Sequence, residues 1–109
     1  MEKMINNEFK NLEKNEILQQ VKNSVRDILM EYFKGNGVDK NVIDKYNLID
    51  ELGMDSVAFI YLIIAFEAKF GIEFPDDYIL IEKFKNVDMI TNTIVDILAS
   101  SLKQEKQNE

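Results

Sequence analysis

Apolar side chains recur every three or four positions over long stretches of this chain, which is the spacing of amphipathic helices. The first stretch begins at Glu16 and continues for roughly 17 residues. It ends at Lys34-Gly35-Asn36-Gly37, where the glycines predict a helix stop followed by a turn. Its predicted buried stripe consists of Leu18, Val21, Val25, Ile28, Leu29 and Tyr32.

A long polar connection follows the first helix, from Gly35 to Asp55. It is too polar for a strand and contains only isolated apolar anchors. A connection of this length inside a small domain is usually either functional or pinned to the core. We expect Leu48 and Leu52 to pin it.

Three further helices are predicted after this loop. Asp55-Ser56 supplies N-cap chemistry for a helix over 56–70, which Gly71 terminates. Pro75-Asp76-Asp77 predicts the first turn of a short third helix, and Asp88 is a candidate cap for the last one. The buried stripe of the last helix is expected to be Ile90, Ile94, Ile97 and Leu98. The predicted fold class is therefore all-α, a four-helix bundle with a long first loop and a short third helix.

The second predicted helix is apolar on two sides. One side, expected in the core, holds Phe59, Leu62, Ile63, Phe66 and Phe70. The opposite side, here called the outer face, holds Val57, Ile60, Tyr61 and Ile64. A chain of this size has too few helices to cover one completely, so we expect the outer face to be exposed for binding partners. The alternative is that the first loop and the third helix fold over it.

Composition excludes several classes of protein. The chain has no Cys and no His, which removes disulfides, thiolate nucleophiles and Ser-His-acid hydrolases. Its net charge of −7 argues against binding to nucleic acid or to an anionic membrane surface. The acidic segment 39–50 lacks the ligand spacing of a calcium loop, and zinc would have only carboxylates, so no metal site is expected. No constellation supports an enzyme.

The chain shows no sign of a targeting or membrane segment. The first 12 residues lack the apolar centre of a secretory signal, and the longest apolar run, 57–66, is too short to span a bilayer. A cytoplasmic protein is expected. The excess of Lys over Arg and the many Asn residues are typical of an AT-rich bacterial genome.

Ser56 is the candidate functional residue. A serine at a helix start commonly serves only as a cap. This one, however, is predicted beside free backbone N–H groups at the positive end of a helix, a place that favours a phosphate. With no His or Cys in the chain, its hydroxyl has no obvious base. Modification by another enzyme therefore suits Ser56 better than attack on a substrate.

Leu52-Gly53-Met54-Asp55-Ser56-Val57 resembles the phosphopantetheine attachment motif of the acyl carrier protein family, which includes the peptidyl carriers. The resemblance continues through the apolar second helix to Phe70-Gly71-Ile72-Glu73-Phe74-Pro75-Asp76, and then to Phe84-Lys85-Asn86-Val87. It divides the chain into a carrier domain over 16–102, an N-terminal extension over 1–15 and a flexible tail over 103–109.

The resemblance implies a monomeric four-helix carrier without catalysis of its own. A phosphopantetheinyl transferase would attach 4′-phosphopantetheine covalently to Ser56, and the thiol of this arm would hold an acyl or aminoacyl group as a thioester. Asp55 would help to seat the transferase and its metal-bound coenzyme A, and Met54 and Val57 would flank the arm. An acyl- or aminoacyl-activating ligase and downstream synthase enzymes would be the other partners.

The second helix departs from the pattern of fatty-acid carriers, which line its solvent side with acids. Here that side carries Ala58, Tyr61, Ala68 and Lys69, with only Glu67 remaining as an acid. This favours a specialised carrier of nonribosomal peptide or polyketide synthesis over a housekeeping carrier of fatty-acid synthesis. A third hypothesis is that the chain is a helical adaptor that is never modified. The cargo does not follow from these residues.

Overall fold

The computed structural model of the chain describes residues 14–107, with side chains described from 15 to 100. Within this range the secondary structure is entirely helical, which confirms the predicted all-α class. The α-helices are α1 (Lys14–Tyr32), α2 (Ser56–Phe70) and α3 (Val87–Gln107). Shorter 3-10 turns are formed by Lys34–Asn36, Lys40–Lys45, Asp76–Tyr78 and Ile81–Phe84.

The structure describes little of the predicted N-terminal extension but most of the backbone of the predicted C-terminal tail. The predicted N-terminal extension over 1–15 lies outside the described residues, apart from its last two residues, with which α1 begins. At the other end, the helical backbone of α3 continues to Gln107, through most of the predicted tail over 103–109.

The core is built by the stripes that α1, α2 and α3 turn towards one another. In α1, Val21, Val25 and Leu29 are fully buried, as predicted. The prediction was wrong for Tyr32, which is 36% exposed, while the neighbouring Phe33 is buried. The helix ends at Tyr32, so the chain turns there and the helical period no longer decides which ring points inward. The predicted stripes Phe59, Leu62, Ile63, Phe66 and Phe70 of α2 and Ile90, Ile94, Ile97 and Leu98 of α3 are all buried.

The long first loop is pinned to the core as expected. Leu48 is fully buried, and Leu52 is 8% exposed. The Leu48 N–H donates to the carbonyl oxygen of Lys85 at 2.7 Å, and the Met54 N–H donates to the carbonyl oxygen of Leu48 at 2.8 Å. These bonds fix the loop against the segment before α3 and bring the chain to the start of α2.

A charged pair adds a second anchor for this loop. Arg26 of α1 donates from Nε to Oδ1 of Asp44 at 2.8 Å and from Nη2 to Oδ2, so the contact is bidentate. The hydrogen bond from Arg26 holds the pKa of the Asp44 carboxyl below its usual value of 3.8. The pair joins residues 18 positions apart in the sequence.

We predict that Asp44→Asn lowers the free energy of unfolding by about 1 kcal/mol at neutral pH, because both partners are partly exposed and solvent screens the pair. Because the pKa of the Asp44 carboxyl is lower in the folded chain than in the unfolded chain, the pair contributes its full stability at a pH above the unfolded-state pKa. This contribution is lost as the pH falls through the folded-state pKa. The wild-type advantage should therefore shrink below about pH 4 in urea unfolding curves. Glu31→Gln, which breaks the well-exposed pair with Lys34, is the control and should change little. An undiminished wild-type advantage at low pH would contradict this role of the ion pair.

The predicted short third helix is present as two 3-10 turns, Asp76–Tyr78 and Ile81–Phe84. Pro75 precedes the first turn in extended conformation and is not its first helical residue. The side chain of Phe84, from the second turn, packs between the turns and α2. The centre of its ring lies 5.1 Å from the ring centre of Phe59 and 5.6 Å from that of Phe74. Both contacts are edge-on.

The cap predicted for the last helix was wrong by two residues. Asn86, not Asp88, accepts the Met89 N–H through its side chain at 2.9 Å. Asp88 lies within the first turn of α3 and forms an ion pair with Lys22 of α1 at 2.9 Å. The acid still sits at the positive end of the helix, but it links two helices instead of capping one.

Candidate functional site

Ser56 is the first residue of α2, and its position is fixed by the residues before it. Asp55 is in extended conformation, and its carboxylate accepts the Ala58 N–H at 2.9 Å, which makes Asp55 the N-cap. Gly53 has a φ of 70°, in the left-handed region that favours glycine. This turn and this cap set where the helix begins, and the Ser56 side chain is exposed there.

The surroundings of Ser56 fit a covalently attached phosphate. The first N–H groups of a helix have no intrahelical acceptor, and they concentrate positive partial charge at its N-terminus. Because Asp55 takes up the role of cap, the Ser56 hydroxyl is not needed for it. An exposed hydroxyl that is free of a structural task, at the positive end of a helix, can carry an anionic group without loss of fold.

The two residues expected to flank an arm are placed differently. Val57 is 75% exposed, next to Ser56 on the solvent side. Met54 is 2% exposed and belongs to the core, and its contact with an arm stays a prediction. A flexible thioether fills irregular space well, and here Met54 anchors the end of the loop under α2.

The outer face of α2 is open to solvent, as predicted. Ile60, Tyr61 and Ile64 are 49%, 60% and 59% exposed, and neither the first loop nor the 3-10 turns cover them. Tyr32 of α1 extends this apolar surface, because its ring centre lies 5.1 Å from that of Tyr61. Leu80, which is 51% exposed, is a further exposed apolar residue. The sequence did not reveal Leu80, because it precedes an irregular 3-10 turn where helical periodicity does not apply.

Glu67, the acid that remains on α2, is engaged within the fold. Its Oε2 accepts the Phe74 N–H at 3.0 Å, so this carboxylate fixes the chain after α2. The helix itself ends at Gly71, whose φ of 64° allows its N–H to donate to the carbonyl oxygen of Glu67. The exposed side of α2 is therefore apolar, with very little acid in it.

We predict that two substitutions of Asp55 separate its role as a cap from its charge. Asp55→Ala should lower the free energy of unfolding by about 1 kcal/mol, whereas Asp55→Asn should cost only a few tenths, because asparagine caps helices nearly as well. If the charge helps to seat a modifying enzyme, modification should slow in both variants. The measurements are denaturant unfolding and the rate of modification. A normal rate of modification in Asp55→Asn would show that Asp55 acts only as the helix cap and that its charge does not seat the enzyme.

A helical bundle that presents an otherwise unused serine at a helix start is a domain suited to being modified. Comparison with known families agrees: the model of the family described as "Phosphopantetheine attachment site" matches residues 19–94. The match covers more than half of the chain, and the chain belongs to this family. Proteins of the family are carriers rather than catalysts, and they hold 4′-phosphopantetheine covalently on a serine.

Curated relatives agree with the family assignment. The chain is similar to the acyl carrier proteins of Bradyrhizobium sp. strain ORS 278 and of Bradyrhizobium sp. strain BTAi1. Each match is 38% identical over 61 residues and spans 55% of this chain and 73% of the relative.

Two features are absent from the part of the chain that the structure describes. None of its helices is long and apolar enough to cross a membrane. The same residues contain no group of three or more acidic side chains arranged to hold a metal ion.

Proposed function

We propose that Ser56 is the attachment point of 4′-phosphopantetheine and that the chain carries acyl or aminoacyl groups as thioesters on this arm. The observation that carries the proposal is the exposed Ser56 hydroxyl at the start of α2, where Asp55 already provides the cap. The family assignment supports it, because the matched residues 19–94 include this serine.

The attachment step transfers the 4′-phosphopantetheinyl group from coenzyme A. The Ser56 oxygen forms a bond to the phosphorus that bears the pantetheine, and the bond from that phosphorus to 3′,5′-ADP breaks. The hydroxyl proton leaves to a base of the transferase or to solvent, since this chain offers neither His nor Cys. The sulfur that carries cargo then comes from the cofactor, which is consistent with a chain that has no cysteine.

The proposed partners are a phosphopantetheinyl transferase, an activating ligase that charges the thiol, and the synthase enzymes that use the cargo. The chain itself contributes no catalytic step. The arm raises the effective concentration of cargo at each active site. We propose that partners dock on the outer face, Val57, Ile60, Tyr61 and Ile64, because it is the exposed apolar surface nearest to Ser56.

The apolar outer face also favours a specialised pathway, in nonribosomal peptide or polyketide synthesis. Glu67 is bonded to the Phe74 N–H, and therefore does not restore an acidic docking surface to α2. The alternative is a housekeeping carrier of fatty-acid synthesis, which the likeness to acyl carrier proteins favours. Charging by a dedicated adenylating ligase, and not by fatty-acid enzymes, would separate the two.

The experiment is transfer of the arm to the purified chain. The chain is incubated with coenzyme A, Mg²⁺ and a promiscuous phosphopantetheinyl transferase, and the mass of the intact protein is measured. We expect a gain of one phosphopantetheine, and none when the transferase is omitted. A folded chain that gains nothing with several such transferases would contradict the proposal and favour an unmodified helical adaptor.

A further inference from the structure

Glu67 ties the end of α2 to the residues that follow it, 74–85, here called the third segment. Its carboxylate accepts the Phe74 N–H at 3.0 Å, and its main-chain carbonyl oxygen accepts the Gly71 N–H at 2.9 Å and the Ile72 N–H at 3.2 Å. A hydrogen bond to a charged acceptor is stronger than one between neutral groups. Glu67 therefore sets where the third segment leaves α2.

Within the described chain, two hydrogen bonds hold the third segment to other elements, one at each end. The first is the bond from the Phe74 N–H to Glu67, and in the second the Leu48 N–H donates to the carbonyl oxygen of Lys85 at 2.7 Å. Between these ends, the backbone bonds of the segment lie within its own 3-10 turns. Loss of the Glu67 bond should therefore let the first part of the segment shift while its far end stays fixed.

The third segment lies beside the start of α2. Phe59 is three residues after Ser56, so roughly 4.5 Å further along the helix axis. Its ring centre is 5.1 Å from that of Phe84, in the second 3-10 turn of the segment. Leu80 precedes this turn and is 51% exposed. A protein interface of standard size covers about 800 Å² on each partner, which as a round patch has a radius of about 16 Å. An enzyme that seats its active site on Ser56 therefore covers Leu80 as well.

We propose that Glu67 is a positioning residue for the transfer of phosphopantetheine, because its bond to the Phe74 N–H holds the third segment where Leu80 contacts the transferase. This inference rests on the proposed function, since it concerns the enzyme that modifies Ser56. Glu67 acts through Leu80, whereas its own carboxylate is engaged within the fold.

The test measures kcat and KM of a promiscuous phosphopantetheinyl transferase for variants of the full chain. Glu67→Ala should raise KM about tenfold and leave kcat within about twofold, because docking is weakened while the Ser56 hydroxyl is unchanged. Glu67→Gln should stay within about twofold of the wild type, because its amide oxygen still accepts the Phe74 N–H. Asp96→Ala, which removes an exposed acid from α3, is the control for net charge and should change neither constant.

Two further measurements follow the bond and the contact separately. Hydrogen exchange of the Phe74 amide should be faster in Glu67→Ala and unchanged in Glu67→Gln, since the amide is protected by its bond to this side chain. Leu80→Ala should raise KM by a factor similar to that of Glu67→Ala. The double variant should be little worse than either single variant, because both residues act through one contact.

A wild-type KM in Glu67→Ala, together with faster exchange at Phe74, would overturn the proposal and leave Glu67 with a role in the fold alone. A KM raised equally in Glu67→Gln would also overturn it, because the charge and not the bond would then matter. A wild-type KM in Leu80→Ala would overturn it even if Glu67→Ala did not fold. A wild-type chain that gains no arm overturns the proposed function, whereas a modified wild type with unaffected variants overturns only this inference.

Discussion

Ser56→Ala is expected to abolish transfer of phosphopantetheine completely. The substitution removes the only atom to which the proposed bond forms, so no residual modification should remain. It should leave the fold intact, with a change in the free energy of unfolding within about 0.5 kcal/mol, because the side chain is exposed and Asp55 supplies the cap. The measurements are the mass of the intact protein after the transferase reaction and denaturant unfolding of the same sample.

Ser100→Ala is the matched control for this prediction. Ser100 is also exposed and helical, but it lies near the end of α3 and not at a helix start. Its variant should be modified as fast as the wild type. Modification that persists in Ser56→Ala, or that is lost in Ser100→Ala, would place the attachment site elsewhere.

Phe84→Ala is expected to destabilise the domain by about 3–5 kcal/mol, through the lost burial of the ring and the cavity that it leaves. Phe84 is 1% exposed and contacts both Phe59 of α2 and Phe74 of the preceding segment. A domain of this size often has only 5–15 kcal/mol in total. The melting temperature should therefore fall by at least about 10 °C, as measured by circular dichroism.

Leu80→Ala is the control for the core. Leu80 belongs to the same segment of the chain, but it is 51% exposed, so its truncation should cost less than about 1 kcal/mol. If Leu80→Ala lost as much free energy of unfolding as Phe84→Ala, the stability would depend on the segment as a whole and not on the aromatic contacts of Phe84. A small loss in Phe84→Ala would contradict the account of the filled region beside α2.

The regular parts of the fold could be predicted because each was decided by a local rule. The period of 3.6 residues identified the buried faces of α2 and α3, and the positions of Asp55 and Gly71 set the limits of α2. Leu48 and Leu52 were recognisable as anchors because they are isolated apolar residues in a polar loop. The exposure of the outer face followed from the small number of helices available to cover it.

Other features of the fold could not be predicted, because they depend on contacts that sequence patterns do not indicate. Asn86 and Asp88 are both good caps, and only the actual start of α3 at Val87 decides between them. The burial of Met54 was not foreseen, because it accompanies a bond from the Met54 N–H to the carbonyl oxygen of Leu48, six residues earlier in an irregular loop. The ion pair of Arg26 and Asp44 joins residues far apart in the sequence, and no periodicity indicates it.

In the candidate site, too, some features could be predicted from the sequence and others could not. The motif around Ser56 led to the proposal that this serine is the attachment point, and the structure adds that Asp55 relieves Ser56 of the role of cap. The pairing of Tyr32 with Tyr61 was not predictable, because Tyr32 was assigned to the buried stripe of α1. Likewise, nothing in the sequence showed that the carboxylate of Glu67 binds the Phe74 N–H.

The central claim, that Ser56 carries the arm, is tested most directly by locating the added mass in the wild-type protein. Cleavage after Lys45 and Lys69 releases the peptide 46–69, in which Ser56 is the only serine and no threonine is present. After the transferase reaction, we predict that this peptide gains one phosphopantetheine and that fragmentation assigns it to Ser56. An unmodified 46–69 peptide, or added mass on a peptide that contains Ser24 or Ser100, would contradict the claim.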